Sequence, residues 1–120
     1  MSSPFVIHTL TTDHQGVRAG VLTYRQIGPT CYVLTLWVSS AHRRKGIARD
    51  LMQRVLAIPG VKTVLLDVAI SNQPARRLFT SLGFAVVGSR RGGWLTLRLT
   101  LRNEVREASS SKTLQSRASL

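Results

Sequence analysis

Residues 39–49 read Ser39-Ser40-Ala41-His42-Arg43-Arg44-Lys45-Gly46-Ile47-Ala48-Arg49, three consecutive basic side chains followed by a glycine and the start of an apolar helical repeat. Basic side chains attract an anion. Backbone N–H groups at a helix start, beside a glycine that lets the main chain come close, can hold a phosphate. A second group of chemically able residues is Asp67, the one acidic residue of an apolar stretch, and Asn72, five positions later. Asp67 has two readings. It is either a general base or a structural carboxylate paired with an arginine.

Other reactive residue types form no such pattern. Cys31 is the only cysteine, so it makes no intrachain disulfide, and its place in an apolar stretch predicts a buried thiol. His8, His14 and His42 show no metal-ligand spacing, which predicts no metal site. No Ser-His-Asp arrangement is evident.

Apolar patterning predicts the elements that must position these groups. Strands are expected over 5–10 and 17–25, separated by a polar turn over 11–16, and a third over 31–38 after a turn at Gly28-Pro29. Ile47, Leu51, Val55 and Ile58 recur at helical spacing, which predicts a helix over 46–57 stopped by Pro59-Gly60. Residues 61–69 have the apolar density of a central strand. Ser71-Asn72-Gln73-Pro74 supplies a cap and a first-turn proline for a second helix that runs to Leu82 and ends at Gly83. Strands over 84–87 and 94–101 close the order, joined by the basic, glycine-rich loop 88–93. Residues 1–102 thus read as one domain, and 103–120 as a short helix or a disordered basic tail.

The chain has 120 residues, 43% of them hydrophobic, enough for a single core. Its formal charge of +12 comes from 17 basic residues, 14 of them arginine, against five acidic ones. Such a balance points to a partner with phosphates or acidic side chains. No basic-then-apolar leader is evident, and no apolar run reaches the ~20 residues of a membrane span. A soluble, cytoplasmic protein with no membrane partner is therefore expected.

This order of elements resembles the GNAT superfamily of acyl-CoA-dependent N-acetyltransferases. The family's first block, V-x-P-x-x-R-x-x-G-x-G/A, is matched by Val38, Arg43, Gly46 and Ala48, with Ser40 in the place of proline. Its second block, N-x-x-A-x-x-L-Y-x-x-x-G-F, is matched by Asn72, Ala75, Leu78, Gly83 and Phe84, with Phe79 in the place of tyrosine. The resemblance spans about residues 17–101. The second block is similar to that of bacterial enzymes that acetylate ribosomal-protein N-termini.

The resemblance implies a mixed α/β fold: a central twisted sheet whose middle strands splay apart, with two main helices. It implies that the backbone of Arg43, Arg44, Lys45, Gly46, Ile47 and Ala48 wraps the pyrophosphate of acetyl-CoA. Leu36, Trp37 and Val38 would pair with the pantetheine arm, which Asn72 and Ala75 would also meet. Arg49, with Arg76 or Arg77, would reach the 3′-phosphate or line a solvated helix face. Asp67 stands where the N-terminal acetyltransferases carry a glutamate, and an N–H near Trp37 or Val38 would polarise the thioester carbonyl. Phe79 stands where the family's proton donor to the leaving sulfur is found and has no proton to give, so water or a hydroxyl from Thr80, Ser81 or Tyr24 would assist. Trp37 and Trp94 are expected in core or rim packing, with acceptor recognition as the alternative.

Family members begin with a strand and two helices that cover the acceptor site, and this sequence reads as starting after them. An open groove suits a protein lysine or N-terminus better than a small amine. A homodimer could supply the missing wall through exposed strand edges. The function expected is acetyl-CoA-dependent N-acetylation of a primary amine on a protein. One alternative is a weak or inactive acyl-CoA-binding protein that engages nucleic acid or a protein through its basic surface. The other is a small-amine acetyltransferase.

Overall fold

The computed structural model of the chain describes residues 6–101, in which the apolar patterns build six strands and two helices. In order these are β1 (His8–His14), β2 (Val17–Ile27), β3 (Thr30–Val38), a single 3-10 turn (Ser40–His42), α1 (Ile47–Leu56), β4 (Thr63–Ala69), α2 (Gln73–Ser81), β5 (Ala85–Arg90) and β6 (Trp94–Thr100). They form one mixed sheet in the order β1-β2-β3-β4-β6-β5. β3 and β4 are its parallel pair, linked through α1, and the other neighbours run antiparallel. The expected helix or tail over 103–120 lies outside the described residues. Among those described, no helix precedes β1 and none is long and apolar enough to cross a membrane.

The first strand differs from expectation. It runs to His14, not Leu10, because Thr11 and Thr12 pair with Val21 and Gly20 of β2. The turn is only Gln15-Gly16, at φ 52° and 79°, the left-handed pair whose twist suits a two-residue hairpin. The β2–β3 hairpin turns at Gly28-Pro29, as expected, with Gly28 at φ 58°. β5 runs on to Arg90, past the expected end at Val87, because Gly88, Ser89 and Arg90 pair with Thr96, Leu95 and Trp94.

Both helices pack on one face of the sheet. Leu51, Met52 and Val55 of α1 are fully buried together with Leu22, Cys31 and Val64 of the strands, and Phe79 of α2 joins the same cluster with Leu66, Val68, Phe84 and Leu97. Each such side chain contributes about 1.5–3 kcal/mol on burial. Cys31 is a buried thiol, as expected, and burial pushes it up to about 11. The alternate residues of the same strands, including Thr35, Trp37, Asp67, Trp94 and Thr96, point to the opposite face, which no helix covers among the described residues.

α2 is fixed at both ends by its own sequence. Asn72 caps its start, Oδ1 accepting from the Ala75 N–H at 3.3 Å. At its end Phe84 N–H donates to the Phe79 carbonyl at 3.0 Å and Gly83 N–H to that of Thr80 at 3.0 Å, with Gly83 at φ 103°. This left-handed cap brings the Phe79 and Phe84 rings into edge contact at 5.7 Å. The Leu82-Gly83-Phe84 motif is thus a helix stop that locks Phe79 into the core.

Candidate active site

β3 and β4 pair only over Thr30–Tyr32 and Thr63–Leu65, after which they part. The cause lies on the other side of β3. Tyr24 of β2 faces Val33 while Thr23 faces Thr35, leaving Leu34 as an extra residue. Such a bulge bends its strand and sharpens the local twist. Beyond Tyr32 no strand pairs with β3 on its β4 side, so its backbone there is available to an extended ligand. The wedge between the strands holds a cavity of about 180 Å³. It is lined by Leu36, Ala75 and Phe79 towards the helices, and by Thr35, Asp67 and Trp94 towards the open face. The cavity therefore reaches both sides of the sheet.

The basic turn joins the end of β3 to α1. Gly46, at φ 79°, occupies the N-cap position, and no side chain caps the helix. The first-turn N–H groups that a capping side chain would occupy therefore face outward, towards the positive end of the helix dipole. Arg44 is also left-handed, at φ 63°, which costs a non-glycine residue about 1–2 kcal/mol. Left-handed residues in such a turn gather N–H groups into an anion-binding concavity. A Cβ added at Gly46 would meet nothing within 4 Å, so ligand space adjoins the main chain. Arg43 ties the turn back to β3 through Nε to the Val38 carbonyl at 3.3 Å, and Ser39 Oγ lies 2.5 Å from His42 Nδ1. Beneath α1, a Cβ at Gly20 would stand 2.7 Å from Ile47 Cγ2, so the glycine sets how closely the helix start approaches the sheet.

On the open face, Asp67 Oδ2 accepts from Arg90 Nη1 at 2.6 Å and Oδ1 from the Thr96 hydroxyl at 2.7 Å. Both partners come from the β5–β6 hairpin, and Thr96 stands directly opposite Asp67 across the β4–β6 ladder. Asp67 is, among the described residues, the only acidic side chain lining the wedge. Among the described residues no group of three or more His, Cys, Asp or Glu side chains is placed to hold a metal ion.

An uncapped helix start after a left-handed basic turn, beside a parallel strand pair that splays, is the arrangement of one large enzyme family. The acetyltransferase (GNAT) family profile matches residues 2–84. The chain belongs to the GNAT acetyltransferase family. The match begins nearer the N-terminus than the resemblance around the two motifs and ends at Phe84. No protein of curated function matches the chain by sequence.

Solved structures share the GNAT fold. The ribosomal-protein-S18-alanine N-acetyltransferase from Escherichia coli superposes with a TM-score of 0.71 at 21% identity, over 79% of this chain and 69% of that one. PaiA N-acetyltransferase from Thermoplasma acidophilum, in complex with coenzyme A, gives 0.70 at 18% identity, over 78% of this chain and 60% of its own. Arabidopsis thaliana NAA60, in complex with a bisubstrate analogue, gives 0.65 at 21% identity, over 79% and 75%. This GNAT chain thus spans between 60% and 75% of the length of these relatives.

Within the GNAT fold, the residues singled out from the sequence fall into three places. Arg43, Arg44, Lys45, Gly46, Ile47 and Ala48 form the turn and the first residues of α1. Leu36, Asn72, Ala75, Phe79 and Asp67 line the wedge, whereas Trp37 and Val38 lie further along β3, paired to Val21 and Gly20. Arg49 and Arg76 sit apart, on the flank of α2. Arg49 Nη2 donates to Ser81 Oγ at 2.7 Å and Arg76 Nη1 to the Ile70 carbonyl at 2.8 Å. There Arg76 and Arg77 line an open depression of about 430 Å³ with Gln73, Thr80 and Ser81.

The stretch of β3 without a β4 partner starts at Val33 and includes Leu36, Trp37 and Val38. None of the hydroxyls of Thr80, Ser81 and Tyr24 lines the wedge. Helical rotation carries Thr80 and Ser81 to the outer depression, and Tyr24 lies in the core stacked on His8. The hydroxyl that does line the wedge is Thr35, which sequence reasoning missed because the strand pattern alone does not show where the sheet opens. Of the core or rim packing expected for the two tryptophans the structure has the rim, with Trp37 45% and Trp94 44% exposed on the open face.

Proposed function

We propose that this protein is an acetyl-CoA-dependent N-acetyltransferase for a protein amine, either a lysine or an N-terminus. The observation that carries the reading is the wedge, with an anion-binding turn at the β3 end and a carboxylate on the uncovered face. The family uses acetyl-CoA, and the residues here fit it. The turn from Arg43 to Ala48 offers N–H groups and positive charge to a pyrophosphate, and the β3 backbone from Val33 to Trp37, open on its β4 side, offers a ladder to an extended arm. Bound there, acetyl-CoA supplies the thioester: an amide N–C bond forms at its carbonyl and the C–S bond breaks.

The chain's own groups manage the protons. An acceptor arrives as an ammonium ion and ends as an amide, losing two protons. Asp67 receives the ammonium from the open face and passes one proton to solvent through a water before attack. The second proton leaves the nitrogen as the amide forms and returns through water to the departing sulfur. Phe79 contributes no proton and shields the sulfur end of the wedge. An N–H of the bulged β3 segment polarises the carbonyl. The test is incubation with acetyl-CoA and a peptide panel, read by mass spectrometry. Gain of one acetyl group that is lost in Asp67→Asn supports the reading, and failure of the protein to bind acetyl-CoA overturns it.

Phe79 motivates a second reading, an acyl-CoA-binding protein with weak or no transfer that engages nucleic acid or a protein through its basic surface. Acetyl-CoA binding without transfer to any peptide, together with nucleic-acid binding that falls steeply with salt, would favour it.

A further inference from the structure

The geometry points to Arg90 as a specificity residue that selects acceptors carrying a carboxylate beside the reacting amine. This rests on the proposed acetyltransferase reading and extends it to a substrate class: peptides whose amine lies next to an acidic side chain. Three observations carry it. Arg90 holds Asp67 through Nη1 alone, and its side chain is 68% exposed. A guanidinium has five N–H donors in a planar fork, so the edge turned to solvent can still bind a carboxylate in two-pronged fashion. Asp67 also has acceptor capacity left, since each oxygen takes one bond in the described structure and a carboxylate offers about four acceptor sites.

The pair is thus a dipole fixed at the open mouth of the wedge, negative at Asp67 and positive at Arg90. Its complement is a molecule with an ammonium group and a carboxylate held a similar distance apart. Surrounding charge favours that complement over a plain cation. Of the other acidic residues described, Asp13 is bonded to Arg18 and Asp50 lies on α1, so nothing else at the wedge attracts a polyamine. Trp94, which pairs with Arg90 across the hairpin, gives the peptide an aromatic wall. A neutral side chain next to the amine would leave the outer edge of Arg90 in water, and a basic one would be repelled by it.

The test measures binding of peptides to the protein saturated with coenzyme A, so it does not depend on turnover. Two hexapeptides are compared that differ only by glutamate or glutamine next to a free N-terminal amine, and a second pair differs in the same way beside a lysine. Tighter binding of the glutamate member by roughly tenfold is expected in at least one pair. In Arg90→Gln that preference disappears, and in Arg90→Glu it reverses in favour of a peptide with lysine at the same place, while affinity for coenzyme A stays the same. Equal binding of the glutamate and glutamine peptides by the unaltered protein, or a preference that survives Arg90→Gln, overturns the proposal. Failure of acetyl transfer with the binding preference intact would instead count against the acetyltransferase reading alone.

Discussion

Arg90 and Asp67 meet at 2.6 Å across two strand boundaries, the arginine from the edge strand β5 and the aspartate from β4, with Thr96 of β6 between them. The contact gives the carboxylate at the wedge a fixed orientation. It also ties the β5–β6 hairpin to the strand that forms one wall of the opening.

Replacing Asp67 by asparagine keeps the shape and removes the charge. On the proposed mechanism kcat/KM falls by about 100-fold or more, while stability changes by no more than about 1 kcal/mol, because an ion pair this open to water contributes little to folding. Steady-state kinetics with a urea melt of the same sample separates the two effects. A loss of activity matched by an equal loss of stability would point to a structural carboxylate.

Gly20→Val forces a side chain into the 2.7 Å gap beneath Ile47 and the 3.0 Å gap beneath Leu51. α1 must lift at its first turn, at a cost of about 1–3 kcal/mol. Acetyl-CoA affinity falls as well, since the lifted turn carries the proposed phosphate-binding N–H groups. Calorimetric titration and thermal melting check the two parts, and a variant that melts early yet binds as tightly as the original contradicts the coupling.

Phe79→Tyr places a hydroxyl where the wedge meets the core. A proton donor at the departing sulfur raises kcat by about tenfold or more if proton delivery limits the rate. Phe79→Ala instead removes a ring that is 5% exposed and packs on Phe84, and destabilises the fold by about 3–5 kcal/mol. Single-turnover rates for the tyrosine variant and urea melts for the alanine variant test these outcomes.

Cys31 has an alkaline signature. Its thiol has an ordinary value of 9.0, and burial pushes it up to about 11. Between those values the unfolded chain gives up the proton before the folded one does, so the folded state holds more protons and stability falls as pH rises. The contribution is whole below about pH 9 and lost by about pH 11. Urea melts at about pH 8 and about pH 10.5 should show a steeper decline in the original protein than in Cys31→Ala. Equal slopes would mean that the thiol is not shielded. Tyr24, pushed up first by its burial and then by the neighbouring Cys31, adds to the same decline, and adds less in Cys31→Ala, where only burial acts on it.

Much of this architecture can be read along the chain, because its signals are local. The repeat of Ile47, Leu51 and Val55, the stop at Pro59-Gly60, and the Asn72 and Gly83 caps each act within a few residues. They place both helices and the order of strands. What stays hidden depends on pairing between distant segments. The opening of the sheet is set by which residue of β2 faces which residue of β3, and nothing around Leu34 marks it as the extra one. Asp67 is visible as an acidic residue among apolar ones, but Arg90 lies 23 residues away in sequence and becomes its partner because β6 inserts between β4 and β5. The positions of Thr80 and Ser81 were accessible in principle, since a helix that turns Phe79 inward turns its next two residues away.

An opening that passes through the sheet has a kinetic consequence. On the proposed mechanism the nucleotide enters from the helix side and the amine from the uncovered face, so neither substrate must leave before the other enters, and no part of the chain needs to store the acetyl group between two half-reactions. Initial-rate plots at several fixed concentrations of one substrate should then intersect, and not run parallel.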